Sequence, residues 1–176
     1  MEGCQILDGI ILIHETLHSL KTDKITGMLL KLDLSKAYDK LNWNFLALIL
    51  SAFGFHSHWV EWVMKLVSSA FFSTLINGSP TRPFESTRGI RQGDPLSPFL
   101  FIIMAEGLGW LIKVMQLNQQ IKGLHFYDGL RLQTHQQFMD DTMLMGPASV
   151  VEAWGIKKGL DLFLDASGLE VNQFKY

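Results

Sequence analysis

Apolar residues recur along this chain at two spacings, one typical of helices and one typical of strands. Apolar side chains three or four positions apart form one face of a helix. That spacing predicts five helices, which span Gln5 to Leu20, Trp43 to Phe53, His58 to Ser69, Ser97 to about Leu117, and Val150 to Asp165. Asn42 and Ser97 are polar residues of the kind that cap a first turn, and they mark two of these starts. Four aromatic residues lie among aliphatic ones and are predicted to pack in the core: Trp43, Phe45, Trp59 and Trp62.

Shorter apolar runs bounded by turn residues predict strands between the helices. The run from Met28 to Leu34 carries Asp33 near its end, and an acid at a strand end projects at the rim of a sheet. The other predicted strands are Phe71 to Asn77 before the turn Gly78-Ser79-Pro80, the returning strand Phe84-Glu85, a small hairpin of Leu124 to Phe126 with Leu130 to Leu132, and a second hairpin joined at Asp140-Asp141.

The composition is that of an ordinary globular domain. A chain of 176 residues suits one domain, and 48% hydrophobic residues argue against disorder. No run reaches the ~20 apolar residues of a membrane span, because Glu106 interrupts the run that begins at Phe99. Glu2 and Asp8 are unlike a secretory signal. Cys4 is the only cysteine, which fits a reducing compartment. The formal net charge of −2 is not the basic surplus typical of a free-standing nucleic-acid binder.

Two adjacent carboxylates, Asp140 and Asp141, lie between apolar residues in the second hairpin. Asp-Asp is a poor turn, since Asn-Gly or Asp-Gly supplies positive φ angles at lower cost. A divalent cation such as Mg²⁺ would offset the repulsion between the two charges, because hard cations prefer carboxylate oxygens. An exposed acidic turn is the alternative interpretation when this pair is considered alone.

Three segments, in this order, resemble motifs A, B and C of a reverse transcriptase, most closely those of LINE-type non-LTR retrotransposons. They are Lys31-Leu32-Asp33-Leu34-Ser35-Lys36-Ala37-Tyr38-Asp39, Arg88-Gly89-Ile90-Arg91-Gln92-Gly93-Asp94-Pro95-Leu96-Ser97-Pro98, and Phe138-Met139-Asp140-Asp141. The segment from Ser167 to Lys175 resembles motif D. The resemblance covers nearly the whole chain, from about Gln5 to Lys175.

The resemblance implies an α+β fold, the right-handed palm of a polymerase with a βαββαβ (ferredoxin-like) arrangement and partial fingers. Residues 1–27 and 55–90 would be fingers-like and residues 28–54 and 91–176 would form the palm, within one domain spanning 1–176. In the family, more of the fingers comes before such a segment and a helical thumb follows it. We therefore expect this chain to begin midway through the fingers and to lack the thumb.

By the same resemblance, Asp33, Asp140 and Asp141 are the catalytic carboxylates of nucleotidyl transfer. They would hold two Mg²⁺ ions, with Mn²⁺ as an alternative, and the backbone carbonyl of Leu34 would join them. Two such ions stabilise both the attacking and the leaving oxygen of an in-line displacement. More than half of the chain separates Asp33 from Asp140, so only the fold can bring them together.

The resemblance also assigns residues to the substrates, which would be an RNA template, a DNA primer and dNTPs, with no membrane partner. Tyr38 stands where the family places the aromatic ring that blocks a ribose 2′-OH, which excludes ribonucleotides by a clash. The residues expected to contact the dNTP are Lys36, Tyr38, Gln92 and Lys175, and those expected to contact the template or primer are Arg88, Arg91, Gly93 and Met139.

Two other interpretations stay open. A truncated and inactive retroelement remnant would keep the palm without gripping a primer–template, because phosphate neutralisation dominates affinity for nucleic acids. The isolated chain is accordingly expected to polymerise poorly or not at all unless missing parts or another chain complete it.

His14-Glu15-Thr16-Leu17-His18 matches the H-E-x-x-H of zinc metallopeptidases, although Lys21 and Lys24 stand where metzincins have Gly and His. Localisation would be intracellular, and nuclear for a functional retroelement.

Overall fold

The computed structural model describes residues 6–22, 24, 26–125, 132–138 and 141–172. Helices and strands are interspersed along the chain, as the α+β prediction requires. The helices are α1 (Ile6–Thr22), α2 (Ala37–Lys40), α3 (Trp43–Ala52), α4 (Ser57–Ser68), α5 (Ser97–Leu117) and α6 (Val150–Ser167). The strands are β1 (Gly27–Ser35), β2 (Phe71–Phe72), β3 (Leu75–Ile76), β4 (Ser79–Pro80), β5 (Phe84–Glu85), β6 (Leu124–His125), β7 (Leu132–Gln133), β8 (His135–Phe138), β9 (Asp141–Pro147) and β10 (Glu170–Val171).

These elements belong to two compact units. Unit 1 comprises Met1–Leu34, Leu108–Phe163 and Val171–Tyr176, and unit 2 comprises Ser35–Gly107 and Leu164–Glu170. Each unit has buried apolar side chains of its own. Those of unit 1 include Leu32, Leu108, Ile112, Met115, Leu144, Met145, Ile156, Leu160 and Phe163, and those of unit 2 include Leu41, Leu46, Leu50, Val60, Val63, Leu100, Phe101 and Met104.

A four-stranded sheet in the order β10-β1-β9-β8 carries the predicted acidic residues. β1 and β9 are antiparallel over seven residue pairs, from Gly27 opposite Pro147 to Asp33 opposite Asp141. The predicted placement of the Asp33 strand beside the acidic hairpin is therefore confirmed. The two strands of that hairpin were predicted to be joined at Asp140-Asp141. This position is one residue too late in the sequence, because Asp141 is already the first residue of β9.

Glu152, in the first turn of α6, secures the loop that follows α5 in unit 1. Its side chain is only 3% exposed. Its carboxyl oxygens accept the backbone N–H of Lys122 at 2.9 and 3.0 Å and that of Gly123 at 3.0 Å. Gly146 leaves room for this side chain, since a Cβ there would lie 2.8 Å from Glu152 Cγ. The carboxyl group thus satisfies two backbone donors that would otherwise lack an acceptor in the interior.

We expect Glu152→Ala to lower the free energy of unfolding by about 2–4 kcal/mol, because buried donors without an acceptor and a new cavity are both costly. Urea denaturation measures this change. Glu106→Ala is the matched control, since Glu106 is exposed on α5 and its loss should change stability by less than about 0.5 kcal/mol. Equal losses in the two variants would contradict the structural role of Glu152.

In unit 2, the start of α3 follows the prediction from sequence. Asn42 Oδ1 accepts the backbone N–H groups of Asn44 at 2.8 Å and Phe45 at 3.4 Å, as an N-cap does. The predicted burial of all four aromatic residues is wrong for Trp62, which is 63% exposed on α4. Helical spacing alone does not tell which face of a surface helix meets the core.

The single strand predicted from Phe71 to Asn77 is also wrong. β2 pairs with β5, whereas β3 pairs with β4 in a separate two-stranded sheet. Asn77 and Gly78 connect β3 to β4 with φ angles of 50° and 82°. Asn-Gly is the preferred sequence for a two-residue hairpin loop with positive φ at both positions. The hairpin signal was therefore present in the sequence, one residue earlier than the turn that was predicted.

Two expectations about α5 need correction. Ser97 does not precede the helix as a cap, but is its first residue and is 3% exposed, while Asp94 Oδ1 accepts the N–H of Leu96 at 2.7 Å. By length and composition α5 is apolar enough to cross a membrane, with a mean hydropathy of 1.6 over its most apolar window. Half of this apolar stretch is buried within the structure, and core helices of globular proteins can be equally long and apolar.

Candidate active site

Asp33 and Asp141 occupy directly opposite positions in neighbouring strands. They are Cα partners at the end of the antiparallel ladder between β1 and β9, and Phe138 of β8 pairs with Asp141 from the other side. Met139 and Asp140 lie between β8 and β9 in sequence. Those two residues, and the side chain of Asp141, are outside the described part of the structure. The assignment of Asp140 as a ligand therefore stays a prediction.

The alternation of β1 explains why Asp33 is accessible. Successive residues of a strand point to opposite faces of the sheet. Leu32 and its partner Thr142 are each 2% exposed, which identifies their face as the buried one. The next pair, positions 33 and 141, therefore lies on the other face, and Asp33 is half-buried there. A carboxylate in that setting can still be reached by a ligand.

Asn172, to which no role was assigned from sequence, also contacts Asp33. It follows β10 directly, and its side-chain Nδ2 donates to Asp33 Oδ2 at 3.1 Å. Its backbone N–H donates to the carbonyl oxygen of Asp33 at 2.8 Å. Asn172 lies in the segment that resembles motif D, in which only Lys175 was predicted to function. The one feature of the sequence that could have identified Asn172 was its position three residues before Lys175.

The residue types at positions 33 and 141 fit a hard divalent cation. Such ions take carboxylate oxygens, and Mg²⁺ is commonly held by one or two carboxylates together with waters and substrate phosphates. Among the side chains that the structure describes, no three of His, Cys, Asp and Glu are grouped so as to hold a metal ion. The side chains of Asp140 and Asp141 are not among those described. The carboxylate of Asp33 therefore fits as one ligand of such an ion, and the contributions of Asp140 and Asp141 stay predictions.

In unit 2, the segment after β5 lines a cavity of about 490 Å³. Arg88, Arg91 and Gln92, all singled out from sequence, contribute to its wall together with Ser86 and Asp39. Guanidinium groups bind phosphates through paired hydrogen bonds. The fold thus places two guanidinium groups and an amide around one cavity, and the ligands of these side chains stay a prediction.

Gly89 anchors this segment on α2 and the residues after it. Its N–H donates to the carbonyl of Leu41 at 2.8 Å, and its carbonyl accepts the indole Nε1–H of Trp43 at 2.6 Å. The N–H of the next residue, Ile90, donates to the carbonyl of Tyr38 at 2.7 Å. Gly89 has a φ of +86°, and a Cβ there would lie 2.7 and 2.9 Å from two backbone oxygens of α2. Only glycine fits this position, which was not singled out from sequence.

Gly93, the glycine that was singled out, is in a different situation. Its φ is +87°, and nothing lies within 4 Å of where a Cβ would stand. The space beside this backbone is therefore open, and the predicted contact of Gly93 with the template or primer stays a prediction. Lys36 also has a positive φ, 48°, and is exposed.

The ring of Tyr38 is held by stacking within unit 2. It lies against the ring of Phe101 with centroids 5.0 Å apart and an angle of 13° between the planes, and it is half-buried. Leu34 is half-buried in β1, and the role of its carbonyl stays a prediction. Lys175 and Met139 lie outside the described residues, so their predicted contacts with the dNTP and the primer are untested.

His14 and His18 are both exposed on α1. His18 Nε2 lies 3.4 Å from Thr22 Oγ1. Within the described ranges, neither histidine belongs to a group of three side chains able to hold a metal. The described residues therefore add no third ligand to the H-E-x-x-H match.

Comparison with known proteins gives one family and several relatives. Residues 2–176 match the family described as reverse transcriptase (RNA-dependent DNA polymerase). The chain is 27% identical, over 98% of its length, to the Transposon TX1 uncharacterized 149 kDa protein of Xenopus laevis, of which it spans 13%. It is 30% identical, over 82% of its length, to the Retrovirus-related Pol polyprotein from type-2 retrotransposable element R2DM of Drosophila melanogaster, of which it also spans 13%.

Among solved structures, telomerases share the fold. The telomerase of Candida albicans, in complex with a TWJ fragment of telomeric RNA, superposes with a TM-score of 0.68 at 16% identity and covers 97% of this chain. The apo telomerase of Candida tropicalis covers 98% with a TM-score of 0.64 at 15% identity. This chain spans 30% and 32% of those two proteins. The likeness confirms the predicted α+β polymerase palm.

The family match covers almost the entire chain, and the relatives include Pol polyproteins of retrotransposable elements. The chain therefore belongs to the reverse transcriptase (RNA-dependent DNA polymerase) family, as a reverse transcriptase domain of the LINE-type non-LTR retrotransposon kind.

Proposed function

We propose that this chain catalyses RNA-directed DNA synthesis, transferring nucleotides from dNTPs to a primer 3′ hydroxyl. The observation that carries the proposal is the pairing of Asp33 with Asp141 on neighbouring strands, in a chain of the reverse transcriptase family. The relatives described above are far longer than this chain, which spans 13% of each of them. Polymerisation by this chain is therefore a proposal, which the family match and the pairing of these two positions support.

Reverse transcriptases generally use a divalent metal. We propose that Asp33, Asp140 and Asp141, with the carbonyl of Leu34, hold two Mg²⁺ ions, for which Mn²⁺ can substitute. Bound there, such ions supply Lewis-acid stabilisation of the attacking and leaving oxygens. In this proposal, Asp33 and Asp141 contribute negative charge from positions that are paired across two adjacent strands, so the backbone orders these two ligands before a substrate arrives.

The segments resembling motifs A to D supply the proposed contacts with the substrates. Arg88 and Arg91 neutralise phosphates of the template or primer, and Gln92 donates to the sugar or base of the incoming nucleotide. Gly93 lets a strand approach the backbone, because its Cβ position is empty. Two side chains outside the described residues complete the assignment, with Met139 under the primer end and Lys175 as the acid that protonates the leaving pyrophosphate. Lys36 binds the triphosphate.

We also propose that residues 1–27 and 55–90 act as fingers and residues 28–54 and 91–176 as palm. The basic residues Arg82, Arg88 and Arg91 fall in or next to the second fingers-like range. Local positive charge of this kind is what a chain with a net charge of −2 needs in order to bind a phosphate backbone.

Tyr38 is the proposed steric gate against ribonucleotides. A ring stacked on Phe101 is restrained, so it cannot move aside easily for a 2′-OH. We expect Tyr38→Ala to raise the ratio of ribonucleotide to deoxynucleotide kcat/KM by at least about 10-fold, because the excluding group is removed. Tyr38→Phe keeps the ring and should leave that ratio unchanged. A gate located elsewhere would leave the ratio unchanged in both variants.

Primer extension on an RNA template tests the proposed function. The chain is incubated with an annealed DNA primer, dNTPs and Mg²⁺, with Asp33→Asn as the inactive control and chelation of the metal as a second. Extension by the isolated chain is expected to be slow, since holding a primer in attack geometry contributes roughly 7–11 kcal/mol to such reactions. Extension that is lost in Asp33→Asn supports the proposal, and extension that persists without a metal contradicts it. No extension at any protein concentration would favour the inactive remnant.

A further inference from the structure

Asn172 is attached to Asp33 at two points. The backbone N–H of Asn172 donates to the carbonyl oxygen of Asp33 at 2.8 Å, and its side-chain amide donates to Asp33 Oδ2 at 3.1 Å. Both residues belong to unit 1 and both are half-buried. The first contact fixes the backbone of Asn172 beside Asp33, and the second acts on the carboxylate itself.

The path of the chain explains how Asn172 reaches this place. α6 ends at Ser167, and Gly168 follows with a φ of +73°, the left-handed conformation that commonly ends a helix. The chain then enters β10, the neighbour of β1 in the sheet. Asn172 follows β10 immediately, so the position of β10 next to β1 brings it beside Asp33.

The chemistry of an amide suits a carboxylate that must also bind a cation. An ionised carboxylate has two oxygens with about four acceptor sites, so one amide bond leaves capacity for a metal. An amide carries no charge and therefore does not compete electrostatically with a divalent ion, as Lys or Arg would. Carboxylate ligands of metals are commonly oriented by such hydrogen bonds, and loss of the partner typically weakens metal binding by about 10- to 100-fold.

We infer that Asn172 is a positioning residue that orients the carboxylate of Asp33 for divalent metal binding. The inference rests on the proposed function, because it requires Asp33 to be a metal ligand. It also gives the segment resembling motif D a role at the carboxylates that does not depend on Lys175.

Mn²⁺ binding to the 176-residue chain, measured by electron paramagnetic resonance of the free ion, tests this inference without requiring polymerase activity. Asn172→Ala removes the side-chain amide but keeps the backbone N–H, so strand pairing is retained. Its Mn²⁺ dissociation constant is expected to rise about 10-fold. Glu170→Ala is the matched control, since Glu170 lies in β10 and its exposed carboxylate pairs with Lys40 at the surface. That variant should bind Mn²⁺ as the unaltered chain does.

Asp33→Asn separates failure of the inference from failure of the proposed function. If Asp33→Asn loses Mn²⁺ binding while Asn172→Ala binds normally, the positioning role is overturned and the proposed function stands. If Asp33→Asn binds Mn²⁺ normally, the metal site itself is elsewhere and both are overturned. Thermal denaturation with and without Mn²⁺ accompanies each measurement, because a purely structural loss would lower Tm equally in both conditions. An Asn172→Ala chain whose Mn²⁺-induced rise in Tm equals that of the unaltered chain would also overturn the inference.

Discussion

Asp33→Asn is expected to lower the rate of primer extension by at least about 1000-fold. Asp33 is the described carboxylate of the candidate site, opposite position 141 in the β1–β9 ladder. A catalytic metal lowers the activation free energy by several kcal/mol, because it stabilises the charge that develops in the transition state. A difference of about 4 kcal/mol corresponds to a factor of about 1000 in rate. Asparagine has nearly the same shape as aspartate but supplies no negative charge, so the variant tests charge with little change in packing.

The measurement is single-nucleotide extension of a DNA primer on an RNA template, with Mg²⁺ and the same protein concentration throughout. Asp165→Asn makes the same chemical change at an exposed carboxylate of α6 and should extend at the rate of the unaltered chain. Circular dichroism verifies that both variants fold. Activity of Asp33→Asn within 10-fold of the unaltered chain would remove Asp33 from the chemistry and with it the proposed metal site.

Gly89→Ala is expected to lower the free energy of unfolding by about 3–5 kcal/mol, the largest stability loss we predict. An alanine at φ +86° is strained by about 1–2 kcal/mol. In addition, its Cβ would lie 2.7 and 2.9 Å from two backbone oxygens of α2, and relieving such overpacking typically costs about 1–3 kcal/mol. Moving the backbone at position 89 away from α2 to relieve this overlap would also disturb the hydrogen bonds that Gly89 makes with Leu41 and Trp43.

Gly93→Ala is the matched control, because Gly93 has nearly the same φ, +87°, but nothing within 4 Å of its Cβ position. Only the strain of the left-handed conformation remains there, so the expected loss is about 1–2 kcal/mol. Urea denaturation of the two variants side by side measures the difference. Equal losses would mean that the contact of Gly89 with α2 contributes nothing to stability.

Substitutions of the two glycines are expected to differ in their effects on stability and on ligand binding. Gly89 holds the segment that carries Arg88 and Arg91, whereas Gly93 leaves an open backbone beside Gln92. A side chain at Gly93 would therefore interfere with a ligand more than with folding. From sequence alone both are glycines of the segment resembling motif B, and nothing distinguishes their roles.

Helix bounds and one helix cap could be predicted from the sequence of this chain. The bounds of α3, α4 and α6 lie within two residues of those predicted, and Asn42 caps α3 as expected. The periodicity of apolar residues and the chemistry of a cap act over one or two turns, so neighbouring residues suffice to predict them. Errors arose where a local pattern allowed two solutions, as in the single strand predicted from Phe71 to Asn77, which is interrupted at Ser73-Thr74 and forms β2 and β3 with different partners.

The family and the candidate carboxylates were also determined by the sequence alone, because motifs A, B and C combine specific residues in a specific order. The tertiary structure decided which of those residues meet, since contacts between distant positions leave no periodic signal. Asn172 and Asp33 are 139 positions apart, and only the pairing of β10 beside β1 joins them. The buried fit of Gly89 on α2 depends likewise on a φ angle and on two backbone oxygens that no single-residue preference specifies. Residue identity determined the chemistry available to this chain, and strand pairing with close backbone packing decided where that chemistry is positioned.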